Sequence, residues 1–341
     1  MPGIATHYVF GTDAYRAAEQ AIGDRPEGLA AFLLGNQGPD PFFYLAATPM
    51  ERPIRRIGKT MHRQRTAALL QAMHDRLVAS AEDPVLVAYA LGFLCHFILD
   101  STVHPLVYAQ EHAICSIGIE RLKGEWPHHV AHATIETSID EYMLTTKLGT
   151  TAAAMPPHRT MLRCPPEALA VISGALADVI SQVYETECPD SAFATAVGLF
   201  RTSQKVLDSK SSGLRRRLDL LPKGGAAMAY VRSLSHRPGA LPHTSFTNDD
   251  HIAWPHAFVR GQVVSASFDE LYAQSKSKAQ ETLPAFAQAA ADDGLFEAIV
   301  GGVNFLGQPC DHGDSSARAA DRATGRARPR KRAAGENEVK G

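Results

Sequence analysis

Residues 92–105, GFLCHFILDSTVHP, decide the fold of this chain, because an otherwise apolar predicted helix here carries His96 and Asp100 four residues apart. Positions four apart lie on the same face of a helix. A buried carboxylate is very costly unless it is paired or bound to a metal. A second pair with the same spacing follows at His132 and Glu136. Two such pairs are difficult to explain by packing alone, and they offer the nitrogen and oxygen ligands that a zinc cluster needs.

Four more candidate ligands lie in the first 140 residues. They are His7 near the N-terminus, Asp40 in a Gly-Pro-Asp turn, His62 in a predicted helix and His104 after the first pair. Imidazoles and carboxylates together suit Zn, Fe, Ni or Mn. Several metals close together would lower the pKa of a bridging water and clamp a phosphoryl group. The alternative interpretation of the two pairs is that they are structural hydrogen bonds. For Asp140, two roles stay open: it either orients a ligand or caps the polar side of its helix.

Length and composition favour a soluble globular protein. The 341 residues are 45% hydrophobic and 21% charged, with a formal net charge of −2 that gives no sign of nucleic-acid or anionic-membrane binding. The sequence predicts no transmembrane segment, because no apolar run reaches the roughly 18 residues that a spanning helix needs. The start of the chain lacks signal-peptide features, so a cytoplasmic location is expected. The five scattered cysteines form no CxxC motif and argue against a disulfide framework.

Helical periodicity is common and strand-like alternation is scarce, so the sequence predicts an all-α fold. Helices are expected over residues 12–22, 28–34, 59–80, 111–122, 130–146, 165–184, 189–207 and 268–296. Asp83-Pro84 predicts the start of the helix that carries the first pair. Pro105 predicts that this helix ends near Val103.

The predicted domain organisation is one helical domain and a tail. The domain covers residues 1–310, with the metal-site core in residues 1–145 and a loop or lid at about 209–247. Residues 311–341 are polar and rich in arginine, which predicts a disordered basic tail. We interpret this tail as a solvated chain end, with contact to anionic lipid or nucleic acid as the alternative.

Several motifs together resemble the zinc-dependent phospholipase C family and the wider all-α group that includes the S1/P1-type nucleases. In the family's order they are PGIATHY (2–8), GPDPFFY (38–44), MH (61–62), AYALGFLCHFILD (88–100), HP (104–105) and HATIE (132–136). The resemblance covers residues 1–145 well and the remainder loosely. It implies a multi-helix bundle like that of phospholipase C and P1 nuclease, with two or three zinc ions in a cleft between helices.

The resemblance also implies a role for each candidate residue. One zinc ion would be bound by His62, His96 and Asp100, with Asp100 bridging to a second ion that His7 binds. A third ion would be bound by His104, His132 and Glu136. Asp40 resembles the carboxylate that contacts metal or water and has been assigned as the catalytic base. The chain departs from the secreted family members at its start, where Met1-Pro2 stands in place of a zinc-chelating Trp.

These expectations lead to a metal-dependent phosphodiester hydrolase. The favoured reaction is phospholipase C-type cleavage of a phospholipid by a zinc-bound hydroxide, giving diacylglycerol and a phosphorylated head group and bringing peripheral contact with a membrane. An S1/P1-like nuclease or other soluble phosphodiesterase is the alternative, and only the nuclease would have nucleic acid as a partner. It would stack bases on aromatic residues, for which Phe42, Phe43, Tyr44 and Trp126 are candidates. A second alternative is a non-catalytic metal-binding helical interaction protein.

Overall fold

A computed structural model describes residues 3–23, 26–79, 83–119, 122–207, 225–288, 290 and 294–310. Most of these residues are helical, so the predicted all-α fold is confirmed. The residues before Asp311 form one compact unit. The predicted disordered tail, residues 311–341, and most of the first half of the predicted lid, residues 209–224, lie outside the described residues.

The helices follow one another along the chain, with a long segment that contains a 3-10 turn and two short strands before Phe268. Their bounds are α1 Ile4–Ile22, α2 Pro26–Gly35, α3 Arg52–Arg55, α4 Ile57–Met61, α5 Thr66–His74, α6 Pro84–Ile117, α7 Trp126–Leu148, α8 Pro157–Thr160, α9 Pro166–Tyr184, α10 Ala192–Leu207, α11 Ala226–Ser233, α12 Phe268–Phe286 and α13 Leu295–Val300. Short 3-10 helices cover Asp40–Ala47 and Ser245–Thr247, and one π-helical turn covers Asp75–Ala79. Strands β1 (Trp254–Pro255) and β2 (Val263–Val264) form an antiparallel hairpin, with Trp254 opposite Val264.

Helix α6 is the centre of the fold, and α1, α2, α7 and α12 all pack against it. Its first turn is capped by Asp83, whose carboxylate accepts a hydrogen bond from the Val85 amide. The expected end near Val103 is wrong, because the helix continues through Pro105 for another three turns. A proline inside a helix costs about 3 kcal/mol. Burial of the apolar helix on several sides outweighs that local cost.

Two glycines allow α2 and α6 to approach very closely. A Cβ atom on Gly92 would lie 2.0 Å from the carbonyl oxygen of Phe32, and one on Gly35 would lie 2.3 Å from that of Tyr89. Real Cβ atoms do not approach backbone this closely. The contact brings the end of α2, and the turn that follows it, against the face of α6 that carries His96.

Helix α1 begins at Ile4, earlier than the expected residue 12. Its N-cap residue is Gly3, which has no side chain that could accept a hydrogen bond from the first turn. The carboxylate of Asp140 on α7 provides the cap instead, accepting hydrogen bonds from the amides of Ala5 and Thr6 at 3.1 and 2.8 Å. Because this cap comes from 134 residues away, no local pattern could have predicted it. It also places His7 in the second turn of a fixed helix.

The single helix expected over residues 59–80 is also wrong. Helix α4 ends at Met61, and α5 begins at Thr66 after Arg65 adopts a left-handed conformation with φ 57°. Distant side chains satisfy carbonyl groups in the break: the Tyr184 hydroxyl donates to Gln64, and the Asn304 amide donates to Arg63. The break therefore depends on tertiary contacts, and it leaves His62 as the C-cap residue of α4.

The helix expected over residues 268–296 is divided as well. Helix α12 begins with a capping box between Ser267 and Glu270 and ends at Phe286, two residues after Pro284. Helix α13 begins after Gly294, which has a positive φ. In the described second half of the predicted lid, residues 225–247, the structure has α11 and a 3-10 turn.

Helices α6 and α9 are long and apolar enough to cross a membrane by length and composition alone. The apolar window of α6 is 78% buried inside the protein, and that of α9 is half buried. Core helices of soluble proteins pass the same test. The expectation that the chain has no transmembrane segment stays a prediction.

We predict that Gly92→Ala destabilises the protein by about 1–3 kcal/mol, because the new methyl group would overlap the Phe32 carbonyl. The matched control is Gly174→Ala on α9, where an added Cβ meets nothing within 4 Å. It should stabilise the protein by about 0.5–1 kcal/mol, since alanine is the better helix former. Thermal unfolding of the two variants measures both effects. Equal shifts in Tm would contradict the close helix contact.

Candidate metal centre

One face of α6 provides the central ligands. His96, Asp100 and His104 follow one another at intervals of four residues and are all fully buried. Residues four apart share a helix face, so the three side chains point to the same side. The other predicted ligands come from four different parts of the chain: His7 from α1, Asp40 from the turn after α2, His62 from the end of α4, and His132 and Glu136 from α7.

Five of the candidates form an inner cluster, defined as His7, Asp40, His62, His96 and Asp100. The Asp100 carboxylate lies at its centre: Oδ1 is 3.2 Å from Nε2 of His7, and Oδ2 is 3.2 Å from Nε2 of His96. Oδ2 is also 3.7 Å from Nε2 of His62. The carboxylate thus lies between His7 on one side and His62 and His96 on the other, which is where a bridging ligand would lie.

The inner cluster contains two overlapping sets that could each hold one metal ion. The first set is His7, His96 and Asp100, and the second is Asp40, His62 and His96. In the second set, Oδ1 of Asp40 is 3.2 Å from Nε2 of His62 and 3.7 Å from Nε2 of His96. The ligand atoms of each set lie within 4.8 Å of one another, so one ion could contact all three.

The buried polar atoms of this cluster fit a metal better than they fit each other. The Nε2 atoms of His7, His62, His96 and His104, and both oxygens of Asp100, form no hydrogen bond within the described part of the chain. Buried polar groups are almost always hydrogen-bonded, and an unpaired one costs about 1–3 kcal/mol. Divalent cations bound in these sets would satisfy these atoms. The residues present therefore fit zinc with mixed nitrogen and oxygen ligands.

Backbone carbonyl groups orient three of the histidines. Nδ1 of His62 donates to the Gly58 carbonyl at 2.7 Å, and Nδ1 of His96 donates to the Asn36 carbonyl at 3.0 Å. Nδ1 of His104 donates to the carbonyls of Asp100 and Phe305, both at 3.0 Å. A carbonyl can only accept, so each neutral ring keeps its lone pair on Nε2. This fixes the tautomer that a metal-binding histidine needs.

The turn after α2 supplies Asp40 and orients His96 at once. It carries the Asn36 carbonyl that accepts from His96, and Asp40 follows four residues later. Gly38 makes the turn, with φ 50°, and a Cβ there would lie 2.4 Å from the His96 ring. Only glycine fits a left-handed position this close to another side chain. The Gly-Pro-Asp sequence thus links the predicted base to the predicted ligand.

The remaining three candidates form an outer group, defined as His104, His132 and Glu136, which could hold a further ion. Nε2 of His132 is 2.8 Å from Oε1 of Glu136. The outer group adjoins the inner cluster, since Nδ1 of His104 is 3.7 Å from Oδ2 of Asp100. All eight predicted site residues are therefore in one of the two groups. Their role as metal ligands stays a prediction.

Sequence reasoning missed Glu111, which orients the outer group. Its carboxylate is buried and accepts from Nδ1 of His132 at 2.6 Å and from Nδ1 of His128 at 2.7 Å. A carboxylate behind a ligating histidine fixes its ring and raises its basicity. Its spacing in the sequence could have identified it, because Glu111 lies seven residues after His104, two turns further on the same helix face. His128 bonds to Glu111 and is not part of the outer group.

Sequence reasoning also missed Phe305, which follows α13. Its fully buried ring lies 5.4 Å from the His62 ring and 5.9 Å from the His96 ring, centroid to centroid. Its carbonyl accepts from His104, as described above. An aromatic residue about 200 positions away from the ligands has no sequence signal that connects it with them.

Asp140 does neither of the two things expected of it. Its carboxylate caps α1 and not its own helix, and Oδ2 also contacts Nε2 of His236 at 3.0 Å. Asp140 therefore positions His7 through the backbone of α1.

Burial and neighbouring charges shift the pKa values of His96 and Asp100, in the inner cluster, in opposite directions. Burial acts to lower the pKa of His96, but the carboxylates of Asp100 and Asp40 outweigh it and raise that pKa. Burial acts to raise the pKa of Asp100, but His96 and His104 hold it well below its ordinary value. Asp100 is therefore ionised at neutral pH. The cluster pairs this buried anion with histidines that can give up a proton when a cation binds.

In the outer group, unlike at His96 of the inner cluster, the pKa values of the histidines are lowered. Burial lowers the pKa of His104 well below its ordinary value and lowers that of His132 to about 4. Both rings are therefore neutral at physiological pH, with a lone pair available for a metal. The pKa of Glu111 is lowered, because hydrogen bonds from His132 and His128 outweigh the opposing effect of burial.

The fold and the site together define a helical protein with a cluster of buried histidines and carboxylates that could hold metal ions. The model of the zinc-dependent phospholipase C family matches residues 6–173, a range that includes all eight candidate site residues. The resemblance expected from the motifs is therefore confirmed over these residues. Comparisons with curated proteins and with solved structures found no match. The family match supports a zinc-dependent hydrolase of the phospholipase C type.

We predict that Glu111→Gln weakens zinc binding at the outer group by about 10–100-fold, because His132 loses the carboxylate that orients it. The matched control is Glu281→Gln at an exposed position of α12, which should bind zinc like the wild type. Competition with a fluorescent zinc chelator measures the affinities. Equal affinity in both variants would show that Glu111 has no role in the site.

We also predict that the two groups lose zinc at different pH. Protons compete with metal for the same nitrogen atoms. Because the pKa of His96 is raised, the inner cluster should begin to lose affinity as pH falls through the near-neutral range. The lowered pKa values of His104 and His132 keep the outer group free of protons to lower pH. Zinc affinity measured as pH falls should decline first at the inner cluster, and the opposite order would contradict this assignment.

Proposed function

We propose that this protein hydrolyses phosphodiester bonds, and that its reaction is phospholipase C-type cleavage of a phospholipid to diacylglycerol and a phosphorylated head group. The observation that supports this most directly is the bridging position of Asp100 between two sets of ligands, with the outer group adjoining. Such an arrangement suits two or three zinc ions. The family match over residues 6–173 supports the same chemistry.

The residues that would hold the metal are those of the inner cluster and the outer group. When bound, zinc neutralises the phosphate oxygens and lowers the pKa of a coordinated water molecule towards neutrality. The chain itself contributes rigid donors: three of its histidines are held by backbone carbonyls and His132 by Glu111. Rigid donors stabilise developing charge without reorganising during the reaction.

Exposure indicates the side from which a substrate would enter. The side chains of His7 and Asp100 are completely buried, whereas Asp40 is 8% exposed and His132 and Glu136 are 19% and 15% exposed. A phosphodiester would therefore meet Asp40 and the outer group first. In this proposal Asp40 accepts a proton from a water molecule that attacks phosphorus, the role of a general base.

One observation favours the nuclease alternative. Phe43 is 37% exposed, and its ring centroid lies 5.1 Å from that of His62, so a nucleobase could stack on it beside the inner cluster. The other predicted stacking residues are less suited. Phe42 is buried against Phe193, Tyr44 stacks on Phe200, and the half-exposed Trp126 contacts His129 and Tyr230, away from the inner cluster. We retain phospholipid as the favoured substrate and a cytoplasmic location as a prediction.

We predict that Asp40→Asn lowers kcat for short-chain phosphatidylcholine by about 10²–10⁴-fold, the usual contribution of a general base. The outer group should keep its zinc, because it shares no residue with Asp40. The exposed Asp190→Asn is the matched control and should show wild-type activity. Diacylglycerol release and zinc content are measured together on each variant.

The same assay separates the alternatives. Asp40→Asn protein with wild-type kcat would remove Asp40 from the mechanism. Wild-type protein that cleaves single-stranded DNA but no phosphatidylcholine would establish the nuclease instead. Zinc-loaded wild-type protein that cleaves neither substrate would leave the non-catalytic metal-binding protein.

A further inference from the structure

A small hairpin over residues 252–264 has one face anchored in the protein and one face in solvent. Trp254 is buried, and its indole Nε1 donates to the Ala266 carbonyl at 3.1 Å. On the other face, Pro255 pairs with Val263, and both are exposed. Side chains alternate between the two faces of paired strands, so the anchoring of Trp254 fixes Val263 outward.

The anchored face is continuous with the metal centre. The ring of Phe258, in the loop of the hairpin, lies 5.1 Å from that of Tyr108 on α6. The Tyr108 ring lies in turn 5.0 Å from His132 and 5.7 Å from His104, centroid to centroid. Two ring contacts therefore connect the hairpin with the outer group. That group has the most exposed of the candidate ligands.

Three aliphatic side chains of the hairpin segment are exposed to solvent. Ile252 is 68% exposed, Val263 is 67% exposed and Val259 is 38% exposed. Single exposed apolar residues are ordinary, but three within 13 residues beside a candidate active site are a local concentration of apolar groups, which we call the apolar patch. Arg260 is exposed next to Val259, and its side chain has no hydrogen bond or ion pair with any residue that the structure describes.

The charges around the patch indicate what kind of surface it fits. Arg260 offers one cation to a phosphate group. Asp249 and Asp250, both exposed, come just before the hairpin, so the segment from 249 to 264 is not net basic. Electrostatic attraction to an anionic membrane needs several clustered basic residues. Insertion of aliphatic side chains into a zwitterionic surface needs no basic residues. The strength of such interfacial binding scales with the apolar area that is buried.

We propose that the hairpin 252–264 docks on a zwitterionic phospholipid surface, inserting Ile252, Val259 and Val263 among the lipids while Arg260 contacts a lipid phosphate. Docking in this way places the lipid surface beside the loop of the hairpin, whose Phe258 contacts Tyr108 next to the outer group. The inference rests on the proposed phospholipase function. It adds the surface that delivers the substrate and the lipid class that this surface prefers.

The test uses full-length zinc-loaded protein and phosphatidylcholine vesicles in a sedimentation assay. Val263→Asp should lower the vesicle partition coefficient by about tenfold or more, because an exposed aliphatic contact becomes a charge. Val171→Asp on α9, also an exposed valine, is the matched control and should bind vesicles like the wild type. Adding phosphatidylglycerol or raising the salt concentration should change wild-type binding little.

Hydrolysis measured in parallel separates this inference from the proposed function. Val263→Asp should lower the ratio of turnover on vesicles to turnover on monomeric short-chain phosphatidylcholine. Equal vesicle binding by Val263→Asp and Val171→Asp would overturn the docking surface, as would binding that requires the anionic lipid. If the wild type binds vesicles but cleaves neither form of the lipid, the proposed function fails and the vesicle result alone decides the docking surface.

Discussion

The buried Asp100 carboxylate is the constraint on which the rest of the structure depends. It lies in the middle of the longest helix, has no exposure to solvent and forms no hydrogen bond among the described residues. Its histidine neighbours stabilise the ionised form, so the protein carries a buried anion at neutral pH. A buried charge persists only when it is paired or coordinates a metal. Three of its four histidine neighbours are fixed through Nδ1, which leaves their Nε2 atoms for a cation.

Much of the fold serves to bring separate ligands to this carboxylate. Helix α6 continues through Pro105 and so keeps His104 and Glu111 on the same face as Asp100. Asp140 caps α1 from another helix and thereby fixes His7. The close contact between α2 and α6 brings the turn that contains Asp40 against His96. Each feature carries a local cost, and burial of the apolar helix faces offsets it.

The sequence predicted the helical class and the eight candidate ligands that the fold brings together, because helical spacing of histidine and carboxylate is a local pattern. The features it mispredicted are those set by distant contacts. The cap of α1 by Asp140 and the break of the expected 59–80 helix by Tyr184 and Asn304 depend on residues far away in the chain. Glu111 had a readable signal in its helical register, whereas Phe305 had none.

We propose that metal ions, and not internal hydrogen bonds, satisfy the buried polar atoms of this centre. The most direct measurement is the zinc content per chain, by inductively coupled plasma mass spectrometry, of wild-type protein and Asp100→Ala purified without chelator. We predict two or three zinc ions in the wild type and a loss of the inner-cluster zinc in the variant. Wild-type protein without tightly bound metal, or a variant with unchanged zinc content, would contradict it.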